Sequence, residues 1–368
     1  MEKNEAIPHA ASTGVMGWLK QLAVPVAGFT VFTIHHFSPS PILLLISLTA
    51  LILAVLSAVH HAEVISHRIG EPFGALVLAV AITVIEASII LSLMLTGGEQ
   101  VSVLARDTVF AAIMIIMTGM TGLTLLIGGI KYREQEFQAH GISSALTVLV
   151  TISVLTLILP NFTEAIKGPY YSSVQLVFVA TITLVLYGSF LFVQNFRHRA
   201  HFVTATELTG SGIERPNKKA TLLSVVLLPV NLVVVVLLAE SMAPDLERFI
   251  HAIGAPLSLA GIIIACVILL PEGITAIKAA SRNHIQKSLN LSLGSALASI
   301  SLTIPLVSLF SVATRTPLAL GIEAESTILF MLALLVLILS LSKGRTNILH
   351  GVVLLVLFVV YLFITMVP

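Results

Sequence analysis

Apolar runs of about 20 residues follow one another along the whole chain, separated by short polar joints. A run of that length crosses a bilayer as a helix, because lipid offers no partner to an open backbone. The runs fall at 19–36, 41–63, 71–96, 108–131, 142–162, 171–196, 219–240, 252–278, 286–313, 325–342 and 346–366, which makes eleven. Some are rich in β-branched residues, such as NLVVVVLL at Asn231–Leu238, but unbroken runs this long still favour helices in lipid. The pattern predicts an all-α polytopic membrane protein of eleven transmembrane helices.

The longest polar joint, Arg197–Ala220, divides these runs into a leading span plus five, and then five more. Laying the third run on the eighth aligns Glu86 with Glu272, an offset of 186 residues. Five is odd, so the second unit enters the membrane from the opposite side, which is the inverted-repeat plan of many secondary transporters. The expected organisation is a leading segment and helix at 1–40, a first five-helix repeat at 41–196, a cytoplasmic linker at 197–219 and a second repeat at 220–368.

Charge orients the predicted spans. With the N-terminus in the cytoplasm, the inner joints hold fifteen of the nineteen Lys and Arg residues. Only Arg106, Lys167, Arg248 and Arg315 fall outside. That positive-inside bias predicts an odd number of spans with the C-terminus on the outer face. Only 10% of residues are charged, against about 25% in a soluble domain. A net charge of +1 gives no nucleic-acid signature, and the single cysteine, Cys266, precludes a disulfide within the chain. MEKNEAIPHAAS lacks the basic start and apolar core of a signal peptide, so the opening helix is expected to be retained.

Two acids stand out against this background. Glu86 lies in AVAITVIEASIILS, with no lysine or arginine in its run. A charge at mid-bilayer costs roughly 2.5–3.5 kcal/mol on insertion scales, so natural spans keep one mostly where it lines a path or meets a partner. Glu272 lies in ACVILLPEGI, between Pro271 and Gly273. Proline removes an N–H and glycine lets backbones approach, so a locally broken helix is expected there. Each acid also has a plainer reading: Glu86 as a protonated group making one structural hydrogen bond, Glu272 as a kink residue reaching water. Two carboxylates sharing a low-dielectric site titrate as a pair, and a cation competes with protons for their oxygens. That competition is the simplest chemistry of exchange.

The runs after each acid are polar for spans. One carries Thr118, Gly119, Thr121, Gly122 and Thr124; the other reads NLSLGSALASISLTIP. Small residues favour close helix packing, and hydroxyls also coordinate cations. Ser295 and Ser299 are four apart and share a helical face, which makes them, with Thr118, the candidate hydroxyl ligands. HHAEVISHRIGEPFG holds His60, His61, Glu63, His67 and Glu71 at the predicted cytoplasmic joint of spans two and three. It reads either as an interfacial turn or as an access and regulatory vestibule, since histidine titrates near neutral pH. Its spacing is not a zinc motif.

These features resemble the calcium/cation antiporter superfamily, in its cation/proton exchanger branch that includes the bacterial ChaA-type calcium/sodium:proton antiporters. The resemblance rests on HRIGEPFGALVLAVAITVIEAS with Glu86, and on the stretch from Pro271 to Leu306 with Glu272 and LGSA at Leu293–Ala296. It spans nearly the whole chain. It implies a leading helix before two inverted five-helix units, and the two glutamates as cation ligands. Many relatives carry Gly-Asn-Ala before each acid; here Thr83-Val84-Ile85 and Leu269-Leu270-Pro271 stand instead, so the asparagine ligands are missing.

The expected activity, in a bacterial inner membrane, is antiport that exports calcium and/or sodium, with potassium as a further candidate, against protons by alternating access; a monovalent-selective sodium or potassium/proton antiporter is the alternative, and inorganic cations and the lipid bilayer are the partners. No cofactor, nucleotide or nucleic acid is expected, and assembly into a homo-oligomer is left open. A channel would want a filter built by symmetry, and an intramembrane metalloprotease would want His-Glu-x-x-His, which does not occur. A purely structural scaffold leaves Glu86 unexplained.

Overall fold

The computed structural model of the chain describes residues 15–38, 40–70, 73–96, 101–197, 216–256 and 258–367. Among them the chain forms eleven helical rods. The first three are α1 (Val15–Phe37), α2 (Pro41–Ile69) and α3 (Phe73–Thr96). The fourth joins α4 (Val101–Met114) to α5 (Thr121–Tyr132) through a π-helical turn at Ile115–Met120. The fifth is α6 (Ala139–Ser153), closing in tighter and wider turns as far as Phe162. Then come α7 (Ser173–Phe192), α8 (Lys218–Ala252) and α9 (Ser258–Ser281). The ninth rod is built like the fourth, from α10 (Ile285–Ala298), a π-helical turn at Ser299–Thr303 and α11 (Ile304–Thr314). The last two rods are α12 (Ala324–Leu341) and α13 (Ile348–Met366). Nine rods among the described residues are long and apolar enough to cross a membrane.

Three local features depart from expectation. α2 continues to Ile69 because nothing breaks it before Gly70, whose φ of 77° is a conformation glycine adopts at no steric cost. α8 runs to Ala252, 35 residues in all, or about 52 Å. Its last turns carry Glu240, Asp245 and Glu247, which ended the apolar run early but leave the helix intact. α9 also runs unbroken through Pro271, one lost hydrogen bond being tolerable where neighbouring helices pack around it.

The connections gather at two ends of the bundle. At one end, β1 (Glu134–Glu136) pairs antiparallel with β2 (Arg345–Asn347), a ribbon too short to show as a periodic pattern in the sequence. Here Lys131 Nζ and Tyr132 Oη donate to Ser281 O, and Gln135 Nε2 donates to Asn283 Oδ1. At the opposite end the buried Arg106 donates to Gly321 O at 2.8 Å and pairs with Asp107. Asn161 Nδ2 donates to Ile322 O beside them. Each of these contacts joins segments that eleven alternating crossings place on the same side.

Two apolar clusters fill the bundle. The larger surrounds the α4–α5 and α10–α11 rods. The smaller joins α2 and α8 to one flank of α3 (Ile82, Ile85, Ile89) and of α9 (Val267, Ile268). The other flanks face the larger cluster through Ile90 and Met94 on α3, and through Ala265, Leu269 and Ala276 on α9. The two helices that carry the buried acids therefore form the seam between the clusters.

Candidate cation site

Glu86 and Glu272 are 4% and 6% exposed, each midway along its helix. Ser299 Oγ donates to Glu86 Oε1 at 2.7 Å, and Ser295 Oγ donates to Glu272 Oε1 at 2.9 Å. One rod, α10–α11, thus serves both acids. Ser295 and Ser299 are one turn apart, so the acids are staggered by about 6 Å along that rod. Glu272 lies toward the ribbon end and Glu86 toward the Arg106 end. The two remain within electrostatic reach of each other. Glu272 Oε2 is buried without a hydrogen-bond partner.

Thr118, the other proposed hydroxyl ligand, is fully buried but donates to its own helix at Met114 O, 2.5 Å away. Thr121 and Thr124 do the same, to Ile116 O and Thr121 O. The α4–α5 rod comes against the residue after Glu272 with Met120, whose Sδ lies 3.6 Å from where a Cβ at Gly273 would stand. The asymmetry follows from side-chain chemistry: a threonine in a helix readily satisfies its hydroxyl on the preceding turn.

The histidine-rich group sits on the last turns of α2. His60 and His67 are exposed and Glu63 is half-buried. His61 is 1% exposed, and its Nδ1 lies 3.0 Å from Ser224 Oγ on α8. Glu71 lies outside the described residues. Among the described residues no cluster of three or more His, Cys, Asp or Glu side chains has the geometry of a metal centre.

Sequence reasoning missed a second buried polar group. His35 on α1 lies 2.9 Å from Ser47 Oγ on α2 through Nδ1, and 2.7 Å from Asp245 Oδ2 on α8 through Nε2. Asp245 also pairs with Arg248. The three residues are distant in sequence, and nothing in their local patterns links them. A cavity of about 470 Å³ opens beside them, lined in part by His36, Glu240 and Ser241. Asp245→Leu strips the buried imidazole of its carboxylate and is expected to lower stability by about 1–3 kcal/mol, measured as earlier thermal unfolding of the purified protein. An unchanged melting temperature contradicts that role.

A bundle of membrane-length helices encloses the paired polar groups, and the family its sequence matches makes it a polytopic secondary transporter. Comparison with known proteins narrows it. The family profile described as sodium/calcium exchanger protein matches residues 39–196 and 223–367. A protein of Sinorhizobium fredii named as an ionic transporter, y4hA, is 44% identical over 98% of each chain. The sodium-potassium/proton antiporter ChaA of Escherichia coli is 34% identical over 93% of this chain and 94% of its own. The solved structure of native YfkE superposes with a TM-score of 0.75 at 18% identity, covering 95% of this chain and 100% of that one, a likeness of fold. The chain belongs to the sodium/calcium exchanger family, within the cation/proton exchanger branch of the calcium/cation antiporter superfamily.

Proposed function

We propose that this protein exchanges monovalent cations, sodium or potassium, for protons by alternating access around Glu86 and Glu272. One observation carries the reading: two buried carboxylates are each held by a hydroxyl of one helical rod, and one carboxylate oxygen is left unpartnered. Such a pair takes up a cation or protons at the same oxygens, and an empty, doubly charged pair is strongly disfavoured during transit. The seam position adds the moving part. Sliding of the cluster built on α1, α2 and α8 against the larger one opens α3 and α9 to alternate sides.

The oxygen supply favours a monovalent ion. Calcium takes six to eight oxygen ligands as a rule. Here the α4–α5 hydroxyls are turned onto their own backbone, and the donors come from two acids and one rod. The Escherichia coli relative is named for sodium and potassium. Two negative charges nevertheless match a divalent ion, so calcium is the second reading.

The architecture proposed with this function is a leading helix and two five-helix units of opposite orientation, 41–196 and 220–368. The break between the two family-matched blocks supports the division, as do the paired acids and the two π-helical turns that follow them. The charge bias places the ribbon end in the cytoplasm of a bacterial cell and Arg106 on the outer side.

Everted membrane vesicles energised with an inward-acid proton gradient, followed by a pH-sensitive dye, test the function. Sodium or potassium is expected to dissipate the gradient at lower concentration than calcium. If none of the three cations dissipates it, the antiport reading falls; if calcium acts at the lowest concentration, the monovalent assignment falls.

A further inference from the structure

The rod that serves both acids carries hydroxyls at 288, 292, 295, 299 and 303, a spacing of four, three, four and four that keeps them on one face. The middle two bind the carboxylates, and Ser292 donates to Ser288 O. Two hydroxyls of the face, Ser288 Oγ near its start and Thr303 Oγ1 at its end, are buried without a hydrogen-bond partner. Thr83, Thr118, Thr156 and Thr275 each donate to the carbonyl four residues back. Thr303 ends the π-helical turn Ser299–Thr303, one turn beyond Ser299 on the same face. Because Ser299 binds Glu86, a hydroxyl four residues further along the same face lies next in line on the Glu86 side of the site.

A buried hydroxyl with nothing to bond costs free energy unless something occupies it in another state of the protein. Of the other unpartnered oxygens in the region, Glu272 Oε2 belongs to the acid pair itself, Ser288 Oγ lies nearly two turns before Ser295 and Ser301 Oγ lies off the hydroxyl face. From the vacant oxygens of Thr303 and Glu272 we infer that Thr303 is a specificity-determining ligand: it supplies the third hydroxyl oxygen to the monovalent cation, from the Arg106 side of Glu86. The inference rests on the acid-pair reading. It extends the site by one helical turn beyond Ser299, so the ion is held along a single rail of hydroxyls and not within a ring drawn equally from two rods.

Thr303→Val keeps the shape and removes the oxygen; Thr303→Ser keeps the oxygen. In vesicles, Thr303→Val is expected to raise the KM for sodium by about fivefold to tenfold, the scale of one lost polar contact, with kcat within about twofold. Thr303→Ser is expected to recover most of the affinity. If Thr303→Val folds and leaves the KM for every cation unchanged while Glu86→Gln and Glu272→Gln are inactive, Thr303 is no ligand and the pair stands. If either glutamine variant still transports, the site reading itself fails. Should Thr303→Val not fold, Thr303→Ala is measured by the sodium-induced rise in thermal unfolding temperature of the purified protein. Loss of that rise supports the ligand role, and a rise equal to the parent's overturns it.

Discussion

Glu86→Gln and Glu272→Gln each reduce cation-driven proton movement to below about 1% of the parent rate, a loss of roughly 2.7 kcal/mol or more in barrier terms. Glutamine keeps the volume of glutamate and still accepts the hydroxyl bonds of Ser299 and Ser295. The helices are therefore expected to stay packed. What disappears is the capacity to carry a charge or a proton at that point. The vesicle assay measures the rate, and size-exclusion profiles in detergent report whether the fold is intact. Full transport by either variant ends the case for a shared site. The same competition sets the sign of the pH effect: acidifying the side from which the cation binds raises its apparent KM, because protons occupy the same oxygens.

Gly351→Ala is expected to separate α5 from α13. A Cβ at Gly351 falls 2.4 Å from Leu126 N and 2.8 Å from Gly122 O. A Cβ at Gly129 falls 2.6 Å from Ile348 N on the same helix pair. These neighbours are backbone atoms, so no rotamer change relieves the clash and the helices themselves must move. Overpacking of this kind costs about 1–3 kcal/mol, and the double variant Gly129→Ala/Gly351→Ala is expected to lose folded protein on extraction. Fluorescence-detected size exclusion after heating reads the difference. Gly188, with open space at its Cβ and an exposed position on α7, serves as the control: its alanine variant should melt no lower than the parent. Equal melting of Gly351→Ala and Gly188→Ala contradicts the tight α5–α13 contact.

The eleven rods were legible because lipid leaves a long apolar run few structural options. Their ends were less so. α2 and α8 continue past the apolar stretch, and a helix clothed in polar residues looks like a joint when read by hydropathy alone. Glu86 and Glu272 stood out as acids in apolar company, and Ser295 and Ser299 through their four-residue spacing. Thr118 looked equivalent to them on composition. Its hydroxyl faces Met114 O, a choice fixed by side-chain torsions that no spacing encodes. His35, Ser47 and Asp245 come from three helices, and only packing brings them within hydrogen-bonding distance.

The bond between Ser299 and Glu86 links residues 213 positions apart. At a synthesis rate of roughly 5–20 residues per second, Glu86 leaves the ribosome about 10–40 s before its hydroxyl partner. For that interval the first helices must rest in the bilayer with an acid whose native partner has not been made. The carboxyl can wait only as a neutral group or in borrowed company, and Ser299 releases it from either. The contact that forms the site is thus one that the first half of the chain must wait for, and its packing against α12 and α13 comes later still.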